Sequence, residues 1–277
     1  MYNSYLYNSG LYNGLGRNIG QNDQDTIVFN SYGLQNAMIV TTNMIDSIPE
    51  RSLDIVDRPR AHGQILLNDW WRTKDITLTG YIRATSVTEL AAEVDQFKYK
   101  MSDREGNLDI KIDGVVRRYV ATLANKDIFD DRKGYHVTFM PWKLVFRCLT
   151  PFAVLPNYIS DDFLNETDLS LNEQIENEGT TVAQPVLIFN FSAANAVTAL
   201  SWTNNTNNEA ISITTSISAG DYIRIDGETK QVTKNGTVID YSGIFPLLDV
   251  GINSFSLNIT GTSATYSHTV KYLQPYL

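Results

Sequence analysis

The chain has 277 residues, of which 43% are hydrophobic and 19% charged; that is enough for one large or two ordinary packed domains and excludes a disordered chain. No run approaches the ~20 apolar residues that span a bilayer, and a single cysteine, Cys148, excludes an internal disulfide framework. The net charge is −9, and residues 1–155 hold 18 of the 22 Lys and Arg and 18 of the 31 Asp and Glu, leaving 4 basic and 13 acidic groups beyond. This asymmetry predicts two domains, 1–155 and 156–277, and argues against nucleic-acid recognition by the second, which phosphate would repel.

The first sixteen residues repeat a Leu-Tyr-Asn theme, with Tyr2, Tyr7 and Tyr12 five apart. That spacing fits neither a helix nor a strand face. It reads either as a flexible tail or as an arm that orders on a partner, since Tyr gives large contact area at low entropy cost. The N-terminus lacks the basic-then-apolar pattern of a secretion signal. Thr26–Phe29 predicts a first strand. From Ser52 to Trp71 the pattern is strand, Pro/Gly-marked loop and returning strand, with Arg58, Pro59, Arg60, His62 and Gly63 in the loop. Trp70 and Trp71, adjacent on a strand, must point to opposite faces, so one of them is expected to be exposed or at an interface. Ile76, Leu78 and Ile82 share one face of the next strand, with Gly80 a weak point or bulge.

Ser86 and Glu89 form a capping box. Val87, Leu90, Ala91, Val94, Phe97 and Met101 then follow at helical spacing, predicting an amphipathic helix over 86–102 packed on a sheet. Leu108–Ile112, an Asp113-Gly114 turn and Val115–Leu123 predict a hairpin. Tyr135–Phe139 and Lys143–Leu149 predict further strands, and Pro151 and Pro156 break the pattern. Between Asp161 and Glu178 lie seven acidic residues and no basic one, which fits either a solvated linker or a charged edge of the second domain. Beyond Pro185, strands recur about every ten residues, the signature of a β-sandwich. Asp226-Gly227 and Asn235-Gly236 are expected to make two-residue hairpin turns.

Few residues suggest chemistry. His62, His136 and His268 show no metal-ligand spacing. Cys148 sits in an apolar strand and reads as a buried, inert thiol. The glycines between Gly10 and Gly20 precede no helix signal and no Lys-Ser/Thr, so they make no phosphate loop. Trp202, beside an Asn-rich loop, fits either a core residue or a sugar-stacking platform. No catalytic, cofactor or metal residues are assigned, and no enzyme activity is expected.

In order and spacing, these parts resemble the distal tail protein (Dit) family of long-tailed siphophages. In the first half the resemblance rests on the Arg58–Gly63 loop, Ile76–Ile82, the Ser86–Met101 helix and the segment Phe146–Phe152. In the second half it rests on Asn177–Pro185, Gly220–Asp226, Asn235-Gly236 and Phe245–Asn253. The resemblance implies a mainly β protein: an N-terminal β-barrel-like domain with one helix, related to tail-tube folds, and a C-terminal galectin-like sandwich. It implies a homo-hexameric ring at the end of the tail tube, assembled in the host cytoplasm and carried on the virion. Its partners would be the tail tube protein, the tail-tip hub protein and receptor-binding proteins, with DNA passing through unbound. Candidate subunit-contact residues are Asp54, Val56, Arg58, Arg60, His62, Trp70 and Trp71; Tyr2, Tyr7 and Tyr12 would form a docking arm. The alternative is a carbohydrate-binding module that uses Trp202.

Overall fold

A computed structural model describes residues 16–17, 26–34, 39–43, 48–59, 62–102, 105–112, 114–124 and 138–277. The chain divides into two compact units, Met1–Pro151 and Phe152–Leu277. Among the described residues there is one α-helix, and it is too short and polar to cross a membrane.

The first unit contains β1 (Gly16–Arg17), β2 (Thr26–Phe29), β3 (Tyr32–Gly33), β4 (Ile39–Asn43), β5 (Arg51–Asp57), β6 (Gln64–Trp71), β7 (Lys74–Arg83), α1 (Val87–Lys100), β8 (Glu105–Ile112), β9 (Val115–Leu123) and β10 (Phe139–Cys148). All but β5 and β6 join one antiparallel sheet in the order β1-β4-β7-β10-β9-β8-β2-β3. Its core follows from period-two alternation. Ile76, Leu78 and Ile82 on β7 and Met140, Trp142, Leu144, Phe146 and Cys148 on β10 are all buried. The β7–β10 register runs unbroken through Gly80, while the irregularity lies between Ile39 and Thr41 of β4. β10 passes through Pro141, a residue that cannot donate to a ladder; there, among the described residues, β10 pairs with β7 alone, and β9 joins it at Phe146–Cys148.

Ser86 caps α1 by accepting the Glu89 N–H at 3.2 Å. The Glu89 carboxylate reaches back past the cap residue to the Thr85 N–H at 2.8 Å and to the Thr85 hydroxyl, which holds that carboxyl below its usual range. Leu90, Val94, Phe97 and Met101 are buried, and Phe97 packs 5.4 Å from the Trp142 ring. Val87 and Ala91, also expected in the apolar stripe, are exposed. They flank the single row of residues, three to four apart, that the sheet can cover.

The second unit contains β11 (Ala153–Val154), β12 (Ile159–Glu166), β13 (Ser170–Asn177), β14 (Val186–Asn195), β15 (Val197–Asn204), β16 (Glu209–Ile217), β17 (Tyr222–Asp226), β18 (Gln231–Lys234), β19 (Thr237–Val238), β20 (Ser242–Gly243), β21 (Gly251–Thr260), β22 (Ser263–Tyr272) and β23 (Pro275–Tyr276). Two sheets, β12-β22-β14-β17-β18-β19 and β13-β21-β15-β16-β20, enclose one apolar core that includes Phe189, Leu200, Trp202, Phe255 and Val270. The acidic stretch is therefore a charged edge and not a linker: β12 and β13 are edge strands of the two sheets. Charge there discourages pairing with stray strands.

The two expected glycine turns differ. Asn235 and Gly236 both have positive φ, 51° and 80°, as a two-residue hairpin requires. Asp226-Gly227 instead opens a four-residue turn. The Asp226 carboxylate accepts the Glu228 and Thr229 N–H groups, each at 3.0 Å, and the positive φ falls on Lys230. Gly227 is needed for space, since a Cβ there would lie 2.4 Å from the Pro185 carbonyl oxygen.

Between β20 and β21 the backbone pairs through an isolated bridge, Leu248 with Ala183, and three buried asparagines add to it. Asn177 donates to the Leu248 carbonyl at 3.1 Å, and Asn204 donates to that of Leu247 at 2.6 Å. Asn253 donates to the carbonyls of Asp249 and Gly251 and accepts the Asp249 N–H. A side-chain amide, with both donors and acceptor, suits such a segment.

Candidate subunit interface

Among the described residues, β5 and β6 pair only with each other and form a sheet of their own. Their sequences, Arg-Ser-Leu-Asp-Ile-Val-Asp and Gln-Ile-Leu-Leu-Asn-Asp-Trp-Trp, suit extended structure, and the register assigns their faces. Leu53 stands across from Asp69, Ile55 from Leu66, and Arg51 from Trp71. The opposite face carries the pairs Val56–Ile65, Asp54–Asn68 and Ser52–Trp70. The register shifts between Asp54 and Ile55, where Leu67 is the extra residue of a bulge. The connecting turn closes with the Arg58 N–H on the Gly63 carbonyl at 3.2 Å, and Gly63 has a φ of +94°.

Exposure is the decisive property. Leu53, Ile55, Val56, Ile65, Leu66, Leu67 and Trp70 are 44–54% exposed. A two-stranded ribbon alone in water is marginally stable. Seven half-exposed apolar side chains, spread over both faces of a thin ribbon, are the kind of exposed apolar surface that often marks an interaction site. Polar contacts hold the base and rim. Arg51 pairs with Asp69 at 2.7 Å, and its guanidinium lies 4.2 Å from the Trp71 ring centre. Gln64 donates to Asp57 at 3.0 Å, and the Arg72 N–H to the Glu50 carbonyl at 2.8 Å. Such exposed pairs contribute little stability and chiefly fix geometry.

Of the residues singled out by sequence, Asp54, Val56, Arg58, His62, Trp70 and Trp71 all lie on this ribbon or its turn. Trp70 is the exposed member of the tryptophan pair, and Trp71 is half-buried beneath Arg51. Arg60, His136, Tyr2, Tyr7 and Tyr12 lie outside the described residues. Leu53, Ile55, Leu66 and Leu67 were not singled out, although the runs Ile55-Val56 and Ile65-Leu66-Leu67 signal a strand with two apolar faces.

Chemistry-bearing groups elsewhere are built into the core. Cys148 is buried, and burial pushes its thiol up to about 12. Trp202 is fully buried and stacks on Phe255 at 4.0 Å, so it cannot serve as a sugar platform. His268 on β22 lies between Phe163 and Phe189, and its Nε2 comes 2.6 Å from Glu173 Oε1 on β13. That contact joins the two sheets as a buried pair, although the ring N–H is not aimed along it as a formed hydrogen bond would be. Among the described residues, no three His, Cys, Asp or Glu side chains converge to hold a metal ion.

Residues 178–276 match the family of siphovirus-type tail components, C-terminal domain. The fold of nearly the whole chain matches the SPP1 Dit (gp 19.1) protein, described as a paradigm of the hub adsorption apparatus in phages infecting Gram-positive hosts. The TM-score is 0.69 at 12% identity, over 91% of this chain and 99% of that one. Residues 178–276 thus carry a Dit-type C-terminal domain, and the chain as a whole has the Dit fold. A subunit of the phage p2 baseplate in its activated conformation is also similar, with 11% identity over 89% of this chain and 97% of that one, at a TM-score of 0.44. No curated protein matches the chain in sequence. The family match spans the Leu247–Asp249 segment together with Asn204 and Asn253, two of the three asparagines that pin it.

Proposed function

We propose that this chain is a Dit-family protein and a structural subunit of the phage tail tip. Six copies close into a ring around the tail axis, and the β5–β6 ribbon makes a contact between copies. The ribbon's uncovered apolar surface carries this reading. A closed ring needs head-to-tail contacts, and a projecting ribbon supplies one half of such a contact. The charge-balanced first half would face the channel, where a neutral wall lets DNA pass without sticking. One ring face would meet the tail tube protein and the other the tail-tip hub, with receptor-binding proteins docked outside. The ring would be carried on the virion and assembled in the host cytoplasm. The chain would do no catalysis.

The test is mass photometry of the purified chain over a wide concentration range, with negative-stain imaging. The expected result is a sixfold ring that is lost when residues 52–71 are replaced by a short Gly-Ser linker. A chain that stays single at every concentration, and that a virion map does not place around the tail axis, would refute the proposal.

A further inference from the structure

The outer face of the β13-β21-β15-β16-β20 sheet carries no charge at its centre. The registers place one outward row across all five strands: Ser170, Asn258, Ser201, Ser212 and Ser242. The next row holds Asn172, Ser256, Thr203 and Ala210. A solvated surface carries charge at roughly a quarter to a third of its positions, so about two or three of these nine should be charged. None is, although the second unit holds the whole −9 excess of the chain. On the outward side of these strands charge returns only at Glu176, near the end of β13. The outer face of the other sheet is ordinary by comparison, with Asp162, Thr269, Ile188, Arg224 and Thr233 forming one row.

We propose that this uncharged face binds a neutral, extended β-1,4-linked polysaccharide laid across the strands. The inference goes beyond the tail-tip reading and does not use Trp202, which is buried. The first row repeats small hydrogen-bonding side chains at the strand spacing of ~4.8 Å, over about 19 Å. A repeating row suits a repeating ligand, and the rise per sugar of an extended β-1,4-linked chain is close to that spacing. About four sugars then lie across the sheet. The row is also pre-set. Ser170 Oγ donates to Asn258 Oδ1, and Ser256 Oγ donates to Asn172 Oδ1, each at 2.8 Å. Both exposed amides thus accept within the sheet, and their N–H groups are left for the hydroxyl oxygens of a ligand. A polymer settling on small, uncharged side chains strips water from no ion. Charge sets the class of glycan: the acidic residues of this unit repel a carboxylated or phosphorylated chain and leave a neutral one free to approach.

Two soluble cellulose derivatives share a backbone and differ in charge: hydroxyethylcellulose is neutral and carboxymethylcellulose is anionic. In native gels cast with each, the full-length chain is expected to be retarded by the first and not by the second. Ser201→Glu, at the centre of the row, should raise the hydroxyethylcellulose needed for half-maximal retardation at least tenfold, with an unchanged thermal melt. Ser242→Glu, at the exposed end of the row, gives the same reading should the central variant fail to fold. Asn190→Glu puts the same charge on the exposed outer face of the other sheet and should change nothing. The inference is overturned if neither hydroxyethylcellulose nor glycol chitin retards the chain, if the anionic polymer retards it equally, or if Asn190→Glu loses as much as Ser201→Glu. It is overturned too if Ser201→Glu changes the assembly state by mass photometry with no polysaccharide present, because the face is then a protein contact. A chain that stays single and is still retarded upholds the glycan face while the ring fails.

Discussion

Replacing Asn253 by alanine tests whether the segment before β21 is held by side-chain amides and not by its apolar anchors. Asn253 is fully buried and uses all of its hydrogen-bonding capacity. Its Nδ2 donates to the carbonyls of Asp249 at 2.7 Å and Gly251 at 2.9 Å. Its Oδ1 accepts the Asp249 N–H at 2.9 Å and the Asn204 Nδ2 at 3.1 Å. Truncation strips a partner from two carbonyls and one N–H; Asn204 keeps its bond to the Leu247 carbonyl. Each buried polar group left without a partner costs about 1–3 kcal/mol, and water entering the small cavity recovers part of that, so a net loss of about 3 kcal/mol is expected. For a unit of this size that lowers the melting temperature by roughly 10 °C. Asn253→Asp keeps the shape but turns one carboxylate oxygen toward two carbonyl oxygens, so at pH 7 it should be at least as damaging as alanine. Thermal unfolding followed by near-ultraviolet circular dichroism reads both variants. If Asn253→Ala melts within 2 °C of the parent, or Asn253→Asp matches it, the asparagines do not hold the segment.

The buried Glu173–His268 pair gives a second expectation. Glu173→Ala strands His268 between Phe163 and Phe189 and should cost about 3 kcal/mol, whereas the double change to leucine should recover most of that loss; urea unfolding of both variants is the check, and a single variant no worse than the double would count against a true pair. Asp221 gives a pH-dependent one. Hydrogen bonds from Lys234 Nζ, the Ser218 N–H and Asn235 Nδ2 hold its carboxyl down at about 2, against 3.8 ordinarily. A depressed carboxyl stabilises the fold above its unfolded value and loses that contribution as pH falls from about 4 to 2. Allowing for partial exposure, Asp221→Asn should cost about 1–2 kcal/mol at pH 7 and almost nothing near pH 2. A urea midpoint difference that stays constant across that range would show that the hydrogen bonds do not act through the charge.

Most of the fold was legible because period-two and helical spacing are written directly in side-chain polarity. The alternation of β7, the Ser86 cap and the Asn235-Gly236 turn depend on a few neighbouring residues, and the structure has them. The buried polar residues of the sandwich escape notice for one physical reason: residue type suggests the surface where strand position dictates the core. Asn204 has the same strand parity as Leu200 and Trp202, Asn253 the same as Phe255 and Leu257, and Asn177 the same as Ile175, so alternation alone places all three inside. By the same parity Glu173 aligns with Ile175, and His268 with Tyr266 and Val270. Gly227 was misread for a different reason. Its constraint comes from the Pro185 carbonyl, forty-two residues earlier, which no local pattern reveals.

The same parity argument turns outward at the ribbon. In the sandwich, the three inward asparagines are tolerated because they bond the backbone of the segment before β21, and Glu173 faces His268 across the core. On β5 and β6 the rule is broken in the other direction: apolar residues occupy both parities, and nothing among the described residues covers either set. A sequence that keeps strict alternation in β7, directly after the ribbon, does not lose it in β6 for want of polar residues. Such an exception fits the contact between copies proposed above, because only a second surface converts two exposed apolar faces into buried ones.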